Sequence, residues 1–188
     1  MKKVLIMTPD IEGPVRNGGI GTAFTALATT LAKKGYDVDV LYTCGDYSES
    51  SASTFSDWSR IYSTFGINLL STGLVKEINI DAPYFRRKSY SILLWLKENN
   101  VYDTIISCEW QADLYYALLS KKNGTDFENT KFIVNTHSST LWADEGNYQL
   151  PYDQNHLELY YMEKMVVEMA DEVVSPSQYL IDWMLSKH

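Results

Sequence analysis

Residues 9–24 read PDIEGPVRNGGIGTAF, and the three glycines at the head of an apolar-periodic segment govern how the rest of the chain is read. Before them stands KKVLIM (residues 2–7), a short apolar run of strand type. After them, apolar residues recur at Ile20, Phe24, Leu27 and Leu31, the spacing of one helix face. Lys33, Lys34 and Gly35 then stop the helix, with positive charge in the last turn and a glycine just beyond. The opening is therefore strand, glycine loop, helix. Gly18, Gly19 and Gly21 leave bare backbone at a helix start, where free N–H groups and the helix dipole favour an anion.

The same alternation continues downstream. YDVDVLYT (36–43) is a second strand, and CGDYSESSASTFSD (44–57) is loop-like, with a short helix around FSDWSRIYSTF (55–65). INLL (67–70) and VKEINI (75–80) read as a third strand and an added edge hairpin or strand. Phe85, Ile92, Leu93 and Leu96 mark a helix, YDTIISC (102–108) a buried-type strand, and EWQADLYYALLSKKNG (109–124) a helix closed by lysines and glycine. KFIVNTH (131–137) is a strand. SSTLWADEGNYQLPYD (138–153) reads as an unusually long loop, of the kind that carries function in compact domains. Met162, Met165, Val166 and Met169 mark a long helix. DEVVSPS then forms the last strand and passes through a Ser175 cap and a first-turn Pro176 into SQYLIDWML. Such alternation predicts an α/β fold: an open, mostly parallel Rossmann-like sheet with helices on both faces, one domain over 1–188. In that architecture ligands gather beyond the carboxyl ends of the strands.

Composition narrows the function. Sixteen Lys and Arg stand against 24 Asp and Glu, a net charge of −8, and no basic stripe with interleaved aromatics is present, which argues against nucleic acid. No run approaches the ~20 apolar residues of a membrane span. The two cysteines, Cys44 and Cys108, lack CxxC spacing, and no charged-then-apolar leader precedes a cleavage site, so a reducing cytoplasm is expected.

The motifs exclude more than they assign. Counting GxGxxG from Gly19 puts Phe24 where the third glycine belongs, and VLYTCG ends the second strand without an acid to hold a ribose. The glycine loop has no lysine, so it is not a P-loop. It does have Arg16, two residues before the glycine pair, and a guanidinium beside bare amides suits a diphosphate. His137 closes an apolar strand and is followed by Ser138, Ser139, Thr140 and Trp142. Glu109, Trp110 and Gln111 stand at another strand tip. Clustered polar groups with an aromatic ring are what a sugar pocket needs. His156 and His188 have no metal-ligand spacing with His137, and no metal site is expected.

GPVRNGGIG, SCEWQAD, VNTHSSTLW and MEKMVVEMADEVVSPSQYL resemble, in order and spacing, the amino-terminal domain of family 4 retaining glycosyltransferases and the glycogen/starch synthases, which have the GT-B fold. The most specific pieces are the basic residue-x-Gly-Gly loop and the run from Glu163 through Ala170-Asp171 to Ser175. The resemblance implies the acceptor-side half of an enzyme that transfers a sugar from a nucleotide-sugar donor (UDP-, ADP- or GDP-linked) to a sugar, glycan or lipid-linked acceptor, with no tightly bound cofactor. It implies that Arg16, Gly18 and Gly19 meet the donor diphosphate and that His137 lies beside the transferred sugar. Glu109, Trp110, Gln111, Ser138 and Trp142 would line the sugar and acceptor cleft, although glutamate and glutamine replace the aspartate and histidine of the family's D-W-H-A-like segment. The nucleotide-gripping second domain has no counterpart in these 188 residues. Alternative readings are a nucleotide-sugar epimerase of the same fold and a free-standing carbohydrate- or nucleotide-binding module.

Overall fold

The computed structural model describes residues 2–49 and 52–187; His188, considered above as a metal ligand, lies outside the described residues. Six strands, β1 (Lys3–Thr8), β2 (Asp37–Tyr42), β3 (Ile67–Ser71), β4 (Thr104–Ser107), β5 (Lys131–Asn135) and β6 (Glu172–Val174), form one sheet in the order β3-β2-β1-β4-β5-β6. The pairs β1–β2, β1–β4, β2–β3 and β5–β6 are parallel. Between and after them run α1 (Gly19–Lys33), α2 (Phe55–Ser63), α3 (Tyr84–Glu98), α4 (Tyr115–Lys122), α5 (Thr140–Gly146), α6 (Gln154–Met169) and α7 (Gln178–Lys187). This is the parallel α/β architecture that the alternation predicts. The chain packs as two compact units, residues 1–76 with 101–106, and residues 77–100 with 107–188.

In the first unit, β1 and β2 are buried along almost their whole length, in register Val4↔Val38 and Ile6↔Val40. Continuous apolar strands are what a parallel sheet requires. Phe24 and Ala28 of α1 and Tyr62 of α2 complete this core. One acid is buried there, Asp39 on β2, and it is fully answered: it accepts from the Tyr102 hydroxyl at 2.8 Å and the Asn68 amide at 3.1 Å and pairs with the Lys3 ammonium at 3.2 Å. In the second unit, Ile92 and Leu96 of α3, Ala117 and Leu118 of α4, Phe132 and Val134 of β5, Met162 and Val166 of α6 and Met184 of α7 form the core.

Four expectations need correction. VKEINI is not a strand: Thr72, Val75 and Ile78 are half-buried and the residues between them exposed, a period of three rather than two. The helix predicted from residue 109 is broken. A 3-10 turn at Trp110–Ala112 contains left-handed Gln111 (φ 63°) and Ala112 (φ 54°), and α4 begins only at Tyr115. The long loop 138–153 holds α5, because the Ser139 side chain caps a helix start by accepting the Trp142 N–H at 3.2 Å. Finally, Ser177 rather than Ser175 receives the first amides of α7, from Leu180 at its hydroxyl and from Ile181 at its carbonyl, which leaves Pro176 before the helix.

Candidate functional site

The glycine loop lies in the first unit, between β1 and α1. Thr8 turns the chain by bonding the backbone of Asp10, and buried Ile11 anchors it. Trp58 packs so closely on Gly13 that a Cβ there would meet its ring at 2.4 Å. The loop is then closed by one carboxylate. Oδ2 of Asp10 accepts the Gly18 N–H at 2.8 Å and the Gly21 N–H at 3.1 Å. A Cβ on Gly21 would lie 2.6 Å from the Asp10 carboxylate and 2.7 Å from Asn17 Cβ, so this glycine is needed for packing. Gly19 differs: nothing lies within 4 Å of where its Cβ would be. The Gly19 and Ile20 amides have no hydrogen-bond partner among the described residues.

Arg16 sits on this loop with its backbone fixed. Its N–H donates to Glu49 Oε2 at 2.7 Å, and the Glu49 N–H in turn donates to the Pro14 carbonyl at 2.7 Å. The exposed guanidinium makes no hydrogen bond or ion pair among the described residues. The loop thus carries a cation and, among the described residues, two open amides at the positive end of a fifteen-residue helix.

The strand tips of the second unit are built differently. Glu109, immediately after β4 and its following cysteine, is fully buried, and both of its carboxylate oxygens accept the His137 N–H at 3.0 Å. The Ser138 amide bonds the same group, yet burial outweighs these hydrogen bonds and pushes the Glu109 carboxyl up to about 7. Glu109 thus faces backbone, and it holds the loop on which His137 stands. Burial also lowers the His137 imidazole below its ordinary value, so the neutral ring is favoured. Trp110 is exposed; Gln111, His137, Ser138 and Trp142 are half-buried.

A second buried glutamate ties these tips together. Glu163 of α6 accepts the Gln111 N–H at 2.9 Å and the Thr140 hydroxyl at 2.7 Å on Oε1, and the Thr140 N–H at 2.6 Å on Oε2. Its carboxyl too is pushed up to about 7, by burial first, with the charge of Glu109 adding to the effect. The sequence reading gave Asp10, Thr140 and Glu163 no task. For Glu163 a signal existed: helical spacing places it between Met162 and Val166 on the buried stripe of α6, where an acid calls for a partner. For Asp10 nothing local marks it out.

Among the described residues no group of three or more His, Cys, Asp or Glu is placed to hold a metal ion, and no helix is long and apolar enough to cross a membrane. No curated protein sequence matches the chain. Among solved structures, sucrose-phosphate synthase from Thermosynechococcus elongatus is similar in fold, with a TM-score of 0.62 and 17% sequence identity over 99% of this chain. The present chain spans only 45% of that structure's length. A looser likeness, with a TM-score of 0.49 and 11% identity over 100% of this chain and 46% of the other, is to Glycyrrhiza uralensis UGT73P12 complexed with glycyrrhetinic acid 3-O-monoglucuronide. The sequence profile of Glycosyltransferase Family 4 matches residues 17–188, a stretch that starts one residue past Arg16 and takes in Gly18, Gly19, Glu109, His137 and Glu163. A match over nearly the whole chain, on a fold of the GT-B kind, establishes that the chain belongs to glycosyltransferase family 4.

Proposed function

We propose that the chain forms the acceptor-side half of a retaining glycosyltransferase that uses a nucleotide-sugar donor. The observation that carries this reading is that the loop leading into α1 holds the Arg16 guanidinium and the Gly19 and Ile20 amides, all without partners among the described residues. A diphosphate leaving group gains negative charge as the glycosidic bond breaks, and fixed donors aimed at that charge lower the barrier. The two amides would be such fixed donors, and Arg16 would add a positive charge that can reach the leaving group. His137, held through its backbone by Glu109 and favoured as the neutral ring, would hydrogen-bond the transferred sugar rather than act as a base. The nucleotide would be gripped by a second, carboxyl-terminal half of the enzyme, and the acceptor would be a sugar, glycan or lipid-linked sugar. No tightly held cofactor is invoked. A cytoplasmic setting belongs to the same proposal, in keeping with two cysteines that form no disulfide.

The test is nucleotide release from a panel of UDP-, ADP- and GDP-sugars by the complete protein, with and without sugar acceptors. Release that depends on acceptor, with retention of anomeric configuration in the product, is expected. His137→Ala should lower transfer by about tenfold or more while the fold survives. Interconversion of the donor sugar without transfer would identify an epimerase instead. Binding of donors without turnover would point to a binding module.

A further inference from the structure

We infer that Glu163 is a positioning residue, whose single carboxylate locks the segment carrying Trp110 and Gln111 to the segment carrying His137 and Trp142. The inference deepens the glycosyl-transfer reading and rests on it for the claim that these segments serve one reaction.

The geometry is unusual in three respects. First, Gln111 and Ala112 are both left-handed without being glycine (φ 63° and 54°). Such backbone is costly and persists only where its surroundings over-determine it. The surroundings here are the Gln111 N–H on Glu163 Oε1 and the Ala112 N–H on the Glu109 carbonyl at 3.0 Å. Second, the same carboxylate receives both polar hydrogens of Thr140, the first residue of α5. Residues 52 and 23 positions away from Glu163 therefore share one anchor. Third, Glu163 and Glu109 are both buried, at 1% and 0% exposure. Two buried acids that repel one another are a poor way to gain stability, since apolar side chains of similar volume usually do as well or better. What they provide is direction, because a carboxylate accepting three N–H or O–H groups fixes where each of those groups points.

Glutamine cannot substitute for this. It offers one acceptor oxygen and one NH2 group, so whichever way the amide is turned, at least one of the three donors faces another donor. Threonine 140 gives the complementary probe, because serine keeps the hydroxyl and valine removes it.

The experiment is amide hydrogen exchange read residue by residue in the full chain for wild type, Glu163→Gln, Thr140→Val and Thr140→Ser, paired with donor kinetics of the same variants in the complete protein. Glu163→Gln is expected to speed exchange at the Gln111 and Thr140 amides by about tenfold or more and to leave Leu5 and Val40 unchanged. Thr140→Val should speed it less, and Thr140→Ser should match wild type. In kinetics, kcat of Glu163→Gln should fall by about tenfold with donor KM within about threefold, the signature of a lost alignment rather than a lost binding contact. Unchanged exchange at Gln111 and Thr140, or equal acceleration throughout the chain, would overturn the lock. Should Glu163→Gln fail to fold, the same readings on Thr140→Val against Thr140→Ser decide it. Local acceleration with kcat unchanged would overturn the positioning role. A wild-type protein that turns over no nucleotide sugar would sink the glycosyl-transfer reading instead, and the exchange pattern would still decide whether the lock exists.

Discussion

The loop after β1 and the loops after β4 and β5 are organised by the same device, a carboxylate that accepts backbone N–H groups, but the device is used to different ends. Asp10 is half-buried and uses Oδ2 to close its loop through Gly18 and Gly21, leaving the Gly19 and Ile20 amides and the Arg16 guanidinium without partners among the described residues. Glu109 and Glu163 are fully buried, and both oxygens of each are taken up by His137, Gln111 and Thr140. The first loop is thus open for an external anion, whereas the second pair is satisfied from within and acts as a frame. Donors left over on a loop that also carries a cation are what the proposed diphosphate seat requires. Donors all consumed by buried acids mark the scaffold of one.

The largest effect that separates the two regions is on pH dependence. Glu109 and Glu163 are held near 7 in the folded chain and return to the ordinary glutamate value of about 4.3 on unfolding. Between those values the native state binds protons that the unfolded state does not, so stability falls as pH rises, by about 3 kcal/mol for either carboxyl taken alone. His137 works in the opposite sense: with its value lowered by burial, it costs stability as pH drops through the histidine range. Two large shifts outweigh one. Urea unfolding at pH 5 and pH 7.5 should therefore show the protein more stable at pH 5, with a shallower slope in Glu109→Gln. A stability that rises over this interval would break the contrast between buried frame and open loop.

A smaller effect sharpens the contrast within the first loop. Gly21→Ala drives a Cβ into Asp10 and Asn17; neither can move without loosening the loop, and a loss of about 1–2 kcal/mol is expected despite the better helix propensity of alanine. Gly19→Ala meets nothing within 4 Å. It should leave stability within about 0.5 kcal/mol and weaken donor binding instead. Thermal unfolding of the two variants checks the pair, and equal losses in both would mean that Gly19 is also a packing glycine.

What was legible in the sequence was what depends on neighbours. Strands β1, β2 and β5 and helices α1, α3 and α6 follow from apolar spacing and from lysine and glycine stops. The glycine loop, Arg16 and His137 follow from their places at strand ends. The misreadings occur where a distant residue decides. EWQADL has ordinary helix formers, and it is Glu163, far along the chain, that bends Gln111 into the left-handed region. The segment after His137 looked like loop because Ser, Gly and Asn frame it, yet Ser139 is a helix cap and α5 follows. Asp10 could not be singled out because its partners are named only once the loop has closed. Arg16, Gly18, Gly19, Glu109 and His137 could be picked out by their places at strand ends, whereas the hydrogen bonds that Asp10 and Glu163 make depend on residues elsewhere along the chain.

The central claim is that the loop after β1 receives the donor diphosphate, and Arg16→Ala tests it most directly. The side chain is exposed and unpaired among the described residues, so its removal should leave the unfolding midpoint unchanged, while the loss of one charge-assisted contact to the leaving group should lower donor turnover by about tenfold to a hundredfold. Turnover by Arg16→Ala equal to wild type at both limiting and saturating donor would contradict the account.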